Sequence, residues 1–543
     1  MKHRVWMAGL WGIALMAMVG SAAFAATTGT AAAPAKEGTT TAGAASATTN
    51  APATTTTPAA TAPAAGSAAP SATTPAEAPA HTELFWPEAW KAFHNPTPWF
   101  SMGLDERFRI EAGENWDTLN DDSTTHKWWY ERYRTRWWTK SVLSDDVSIN
   151  TRLTWEFRTY DEPHAQAIAA TTAFEKYDRN MVWDEALFDW MNVNVKNIGG
   201  EPLTATIGRQ DIIEGVGWLV MDGTPLDGSR TLYFDAARFT YDWADTSSKL
   251  DLIYISQSAE SDRWLEPICD KDRAVTEQDE NGAILYFTNT SWKPTQLEAF
   301  FIYKNDNPID RQGELTNIPP FWGTKAETFT FGGAVSGTPA EHWKYRAEAA
   351  IQTGTTDDRS HTPPFAVGEE RDIEAFGALT NLEYLFKDAH ENSVHVGYEY
   401  ASGDDPDSRE NEQFNLLWGE WPRWSELLIY TWTDETEVAN TTNLHRANIG
   451  YRVNLNKQWT LTTDYHALWA DEPGQPWKTG PNGINVSDEH KFRGSLVTAW
   501  LRYKFSPQLY GHFLAEYFTP GAYYTDPSGD DATFFRFNIE YTF

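Results

Sequence analysis

The last strand of the chain sets the tightest limit on its fold. In Phe535-Arg-Phe-Asn-Ile-Glu-Tyr-Thr-Phe543, five residues share one parity: Phe535, Phe537, Ile539, Tyr541 and Phe543. Arg536, Asn538, Glu540 and Thr542 share the other. Period 2 is the strand period, so one face is wholly apolar and the other wholly polar. The pattern recurs upstream. Ile149, Leu153, Trp155 and Phe157 oppose Asn150, Arg152, Glu156 and Arg158, and Trp459, Leu461, Tyr465 and Trp469 oppose Thr460, Thr462, Asp464 and His466. Repeated on strand after strand, this alternation fits a barrel in lipid, with the apolar face outward and the polar face toward a lumen.

The chain ends on Phe with an aromatic two residues before, which resembles the terminal signal of bacterial outer-membrane β-barrels. Eighteen strands are expected, near 105–112, 127–140, 147–160, 184–196, 202–210, 230–243, 249–258, 283–292, 297–304, 326–337, 342–353, 374–386, 391–401, 443–454, 458–469, 495–505, 509–518 and 533–543. Each has roughly the 9–11 residues that a tilted strand needs to cross a bilayer. An even number closes the barrel with both ends in the periplasm. Connections alternate between tight turns, such as Asn454-Leu-Asn-Lys457, and long acidic segments at 161–183, 259–282, 354–373, 402–442, 470–494 and 519–532. The long set is expected to face outside. Ser425 to Trp432 is apolar enough for another strand but is read as loop. The fold class is therefore all-β: an antiparallel transmembrane barrel over 101–543.

The N-terminal part reads differently. Lys2, His3 and Arg4, the apolar run Val5 to Gly20 and Ala23-Phe24-Ala25 form a secretory signal with its cleavage site, giving a signal peptide over 1–25. Residues 26–80 are almost entirely Ala, Thr, Pro, Ser and Gly, a composition that lacks the apolar bulk to offset chain entropy, so a disordered tether is expected. Residues 81–100 read as a short periplasmic segment or plug. The net charge of -33 excludes nucleic acid as a partner. Cys269 is the single cysteine, so no internal disulfide forms. The 27 Trp, 22 Tyr and 28 Phe suit the two aromatic girdles of a membrane barrel.

Strand parity also assigns the lumen. It places there Arg107, Arg109, Arg132, Arg134, Arg136, Arg152, Arg158, Arg238, Arg346, Arg446, Arg452, Arg502 and Arg536, with Lys140, Lys196, Lys304, Lys344 and Lys504. Asp242, Glu156, Glu298, Glu348, Glu399, Asp464, Glu516 and Glu540 oppose them, 18 basic against 8 acidic. A net basic wall inside a net acidic chain suits anion selection, because rings of Arg and Lys select anions in pores and guanidinium binds carboxylates in pairs. The structural alternative is a set of Arg–Glu ladders that merely hold the wall. On the loop Ser402-Gly-Asp-Asp-Pro-Asp-Ser408, the carboxylates of Asp404, Asp405 and Asp407 are the donors a hard cation such as Ca²⁺ takes, though not at EF-hand spacing; the alternative is a solvated acidic tip. No other cofactor is expected. The chain has no G-x-S-x-G, H-E-x-x-H or Walker motif, and is not expected to be an enzyme.

Four stretches resemble the alginate-export family of outer-membrane porins: Ile207-Gly-Arg-Gln-Asp211, Phe234-Asp-Ala-Ala-Arg-Phe-Thr-Tyr241, Gly397-Tyr-Glu-Tyr-Ala-Ser-Gly-Asp-Asp-Pro-Asp407 and Phe518-Thr-Pro-Gly521. The resemblance covers about 100–543. It implies a monomeric 18-stranded barrel, an electropositive constriction for a polyuronate, gating loops, and insertion by the barrel-assembly machinery through the strand ending at Phe543. The family's lumen arginines fall on Arg132, Arg134, Arg136, Arg152 and Arg238, and Arg209 matches the Gly-Arg-Gln motif. Its parity follows Leu203, Ala205 and Ile207, so either the strand is bulged there or Arg209 sits at the rim. The inward acids and the Ala/Thr/Pro tether depart from the family pattern. The expected protein is an outer-membrane porin of a Gram-negative-type bacterium, its tether in the periplasm, passing an anionic saccharide or small anions. An outer-membrane enzyme or adhesin acting on carbohydrate through its loops, and a secreted carbohydrate-binding β-sandwich, are the alternatives.

Overall fold

The computed structural model describes residues 92–162, 181–221, 233–259, 265, 268, 276, 278–310, 321–322, 324–357, 370–419, 421–436, 440–474 and 484–542. The signal peptide, the tether, Cys269 and the terminal Phe543 lie outside the described residues.

All eighteen expected strands are present: β1 (Phe100–Glu114), β2 (Lys127–Val142), β3 (Val147–Glu162), β4 (Met181–Val195), β5 (Leu203–Gln210), β6 (Phe234–Trp243), β7 (Ser248–Gln257), β8 (Asp279–Asn289), β9 (Thr295–Asn307), β10 (Ala326–Ala340), β11 (Trp343–Asp357), β12 (Glu370–Leu385), β13 (Ser393–Ala401), β14 (Leu444–Asn454), β15 (Trp459–Trp469), β16 (Phe492–Lys504), β17 (Leu509–Pro520) and β18 (Ala532–Thr542). Each pairs antiparallel with its chain neighbours in one 18-stranded sheet. The sheet closes on itself where β1 meets β18, from Asp105↔Thr542 to Glu114↔Thr533. Closure leaves no sheet edge, the condition for strands in hydrocarbon. Turns such as 143–146, 244–247 and 505–508 lie at one end, the periplasmic end by the rule that barrel turns there are short.

The terminal strand shows which face meets lipid. Phe535 is 53% exposed, whereas its neighbour Phe534 is 0% exposed. Leu252, Tyr254, Leu285, Ile351, Ile449 and Val497 share the exposed outer face on other strands, with Trp129, Trp243, Trp343 and Trp469 nearer the strand ends.

The inner face departs from expectation. It is not uniformly polar, and the segment 402–442, expected outside, does not stay there. The stretch after β5, 211–221, and residues 414–419 and 421–436 of the β13–β14 connection turn into the barrel. Val220 bridges Trp418 in parallel, Trp418 N–H donates to the Leu219 carbonyl at 3.0 Å, and Trp218 stacks on Phe414 at 5.4 Å. Beneath them the wall presents Ile253, Ile255, Ile284, Phe300 and Ile302, all buried. The cause is in the loops: Phe414, Leu416, Leu417 and Trp418 are too apolar to remain in water and need an apolar seat.

The segment read as loop at Ser425–Trp432 carries a helix, α1 (Leu427–Thr436). Leu427, Leu428 and Trp432 pack on Leu496, Leu514, Phe518 and Phe534 of β16–β18, with Trp116 of the β1–β2 loop. Its start is latched to the wall. Glu516 of β17 accepts the Glu426 and Leu427 N–H groups, each at 3.0 Å, and the Ser425 hydroxyl at 2.7 Å. The Ser425 oxygen accepts the Leu428 N–H at 3.1 Å, an N-cap. A wall carboxylate therefore meets the positive end of a helix that has few other acceptors.

Two outcomes follow. Leu285→Arg puts a charge on the lipid face in the middle of β8 and should cost about 2–4 kcal/mol, read as a lower urea midpoint for folding in liposomes. Glu516→Ala should unlatch α1, seen in planar bilayers as a larger and noisier single-channel conductance; an unchanged trace would remove Glu516 from that role.

Candidate functional site

The densest charge lies where β1, β2 and β3 run side by side. Strand register sets Arg107 opposite Arg134 and Arg109 opposite Arg132, and Arg132 opposite Arg158. Like charges placed directly opposite are unfavourable, and carboxylates thread between them. Arg132, fully buried, donates to Glu111 at 3.1 Å and to Glu156 at 3.0 Å. Glu156 also takes Arg107 at 2.9 Å and lies 3.7 Å from Arg158. Glu111 pairs in turn with Arg536 of β18, which reaches Glu426 at 2.9 Å, just before α1. One chain of ion pairs thus ties the wall to the infolded loop. Arg134 stands 3.8 Å from Glu540, and Arg136 stands 4.0 Å from Asp189. Arg132 belongs to the ladder, while Arg136 and Arg158 keep part of their surface open.

Arg152 of β3 holds Asp189 in a two-bond fork at 2.7 and 2.8 Å, touches Asp211 at 3.2 Å and lies 4.0 Å over the Trp190 ring. Asp189 is extra to the ladder: Arg152 pairs with Trp190 and Leu153 with Phe188. This bulge turns a carboxylate toward the lumen side that strict alternation aims at lipid. Arg238 bridges Glu214 of the infolded loop at 2.8 Å and Asp251 at 2.9 Å. Arg346 is clasped by Glu298 and Glu348, both at 2.7 Å. Arg446 pairs with Glu399 at 2.9 Å and lies 4.8 Å over Trp424. Arg452, half-buried, faces Ser393 and Thr462 across the ladder. The expected wall residues therefore come together, but most of them in ion pairs.

Arg209 takes the rim alternative. β5 pairs in unbroken register with β4 and β6 through this residue. Its buried side chain binds Asp235 at 3.0 Å and the Phe188 carbonyl at 3.0 Å, beneath the Tyr233 ring, where β5 stops. On the acidic loop, Arg371 occupies Asp404 in a fork at 2.9 and 2.8 Å. Asp405 accepts the Asp407 N–H at 2.9 Å. Among the described residues no cluster of three or more His, Cys, Asp or Glu converges as for a metal.

Several acids that pair with the wall cations escape the sequence reading. Glu111 shares the parity of Arg107 and Arg109 and was open to the same argument. Glu280 and Asp306, which bind Lys304 at 3.0 and 3.2 Å, lie on strand ends longer than expected. Asp251 shares its face with the buried Ile253 and Ile255, so alternation there reads backwards. Asp189 has no parity signal at all because of its bulge.

Comparison with known proteins places this architecture. The family model described as Alginate export matches residues 99–537. Among solved structures, OccAB2 of Acinetobacter baumannii aligns at a TM-score of 0.49 and 12% identity, over 82% of this chain and 98% of that one. OccK2 (OpdF) of Pseudomonas aeruginosa aligns at 0.47 and 10%, over 82% and 97%. No curated relative matches. With its closed 18-stranded barrel, the chain belongs to the alginate-export family and is a channel of the bacterial outer membrane.

Proposed function

We propose that this channel passes anions selectively, an acidic oligosaccharide or polysaccharide of the alginate-like polyuronate class foremost, and that the arginines of β1–β3 carry the selectivity. The supporting observation is the set of opposed arginine pairs, Arg107/Arg134, Arg109/Arg132 and Arg132/Arg158. Each holds two positive charges across one ladder step, and Glu111 and Glu156 are shared among more guanidiniums than they can neutralise. The remaining positive potential falls on the lumen side through Arg134, Arg136 and Arg158. A passing carboxylate relieves it and then moves to the next guanidinium, an exchange that keeps binding weak enough for release. Arg152, Arg238, Arg346, Arg446 and Arg452 extend the path around the wall.

Replacing Arg132, Arg134 and Arg136 together by Gln should shift the zero-current potential in a KCl gradient toward cation preference. A triple variant with the wild-type potential would sink the assignment.

Glu214 adds a pH dependence. Burial pushes its carboxyl up to about 7 against the pull of Arg238, with Asp251 pushing the same way as burial. Between pH 8 and pH 6 Glu214 gains a proton and ceases to offset Arg238, so the lumen becomes more positive on acidification. The anion-to-cation permeability ratio should therefore rise from pH 8 to pH 6, and Glu214→Gln should flatten that rise. Identical pH profiles for the two proteins would exclude Glu214 as its source.

A further inference from the structure

A separate cavity of about 90 Å³ opens at the outer mouth beside the start of β16, between the end of α1, Thr442–Asn443, Pro473–Gly474, Ile484, Val486 and Tyr523. Its lining includes Asp404, Gln413, Glu435, Asn443, Arg493 and Tyr523. Arg493 reaches it through a second bulge. Gly494 pairs with Leu468 and Phe492 with Trp469, leaving Arg493 extra to the ladder. Gly494 makes this geometry possible: its φ is +135°, and a Cβ there would stand 2.3 Å from the Thr519 carbonyl oxygen. On strict alternation Arg493 would share the outer face of Val497 and Leu501. Instead it is 4% exposed, donates to Glu435 of α1 at 2.6 Å, and lies 5.0 Å from the Trp432 ring and 4.9 Å from the Tyr523 ring.

The pair is not self-sufficient. Nε and Nη1 of Arg493 and Oε1 of Glu435 are buried without a hydrogen bond of ordinary geometry to the described residues, with the Tyr523 hydroxyl near Arg493 and the Tyr524 hydroxyl near Glu435. Burying charged donors and acceptors unmatched is costly, and a clasp whose sole task was to hold α1 would have no use for them. Glu435 already takes Nη2, which both guanidinium forks share, so the idle Nε and Nη1 each offer a single charge-assisted hydrogen bond to a carboxylate oxygen, and an adjacent carboxylate oxygen suits a hydroxyl. Sugar acids present both groups on one ring.

We propose that this cavity binds the carboxylate end of a uronic acid residue at the outer mouth, with Arg493 receiving the carboxylate and Glu435 a neighbouring hydroxyl. The proposal rests on the passage of an acidic saccharide argued above, and adds a site outside the arginine wall where a chain end is held.

The test is calorimetric titration of the full-length protein in detergent with D-glucuronate, and with D-glucose as the neutral control. To remove wall binding, each variant is also made on the Arg132→Gln/Arg134→Gln/Arg136→Gln background. R493Q should weaken glucuronate at least tenfold on both backgrounds, and glucose should bind at least tenfold more weakly than glucuronate to the wild type. E435Q should tighten glucuronate several-fold, since it removes a negative charge beside the carboxylate; a merely structural clasp would lose affinity instead. Heat-modifiable migration verifies folding, and if R493Q does not fold, E435Q decides alone. Unchanged glucuronate affinity in R493Q, or weakened affinity in E435Q, overturns the proposal. The KCl zero-current potential separates the two readings. A cation-preferring pore that still binds glucuronate through Arg493 would refute the selectivity and leave this site standing. An anion-selective pore with no Arg493-dependent binding would do the reverse.

Discussion

Hydrocarbon offers no partner to a backbone N–H or C=O, and that constraint governs the whole molecule. Every strand must find neighbours on both sides, so the first and last must find each other. The pairing of β1 with β18 meets the condition. Once the ring is closed, alternation divides each strand between lipid and lumen, and the chemistry of the lumen follows from which side chains share the inward parity.

The interior is then filled from within the same chain. The loops at 211–221 and 402–443 bring Trp218, Phe414, Trp418 and α1 against an inner wall that is apolar where they dock. The charged part of the wall, centred on β1–β3, adjoins this filling: the Tyr130 hydroxyl of β2 meets the Tyr430 hydroxyl of α1 at 2.7 Å. Narrowing and charge come from different parts of the sequence, and the Arg536–Glu426 pair couples them.

Much of this was legible in the residues. Eighteen strands could be located because a half-wet, half-greasy wall imposes period 2, and every one of them is present. Arg132, Arg134 and Arg136 could be placed inward for the same reason. Three things could not be read by that rule. An inward-facing Ile, as at Ile253 or Ile284, obeys no polar-in pattern when a loop covers it. A bulge, as at Asp189 and Arg493, shifts one side chain without leaving a mark in the alternation. And the partner of a charge, such as Arg371 on Asp404, depends on contacts between segments far apart in sequence. Each missed residue therefore marks a place where tertiary contact outweighed the local pattern.

The ion pair between Glu111 and Arg536 joins the first strand to the last. Before the barrel closes, Glu111 and Arg132 have no Arg536 to complete their chain, and α1 has no β18 wall on which to rest. The link from Glu111 to Arg536 and the β18 part of the helix seat therefore exist only once the barrel is closed. A barrel that has failed to close is also one whose interior charges are mismatched and whose loop is unanchored, so the completed seam itself licenses the pore.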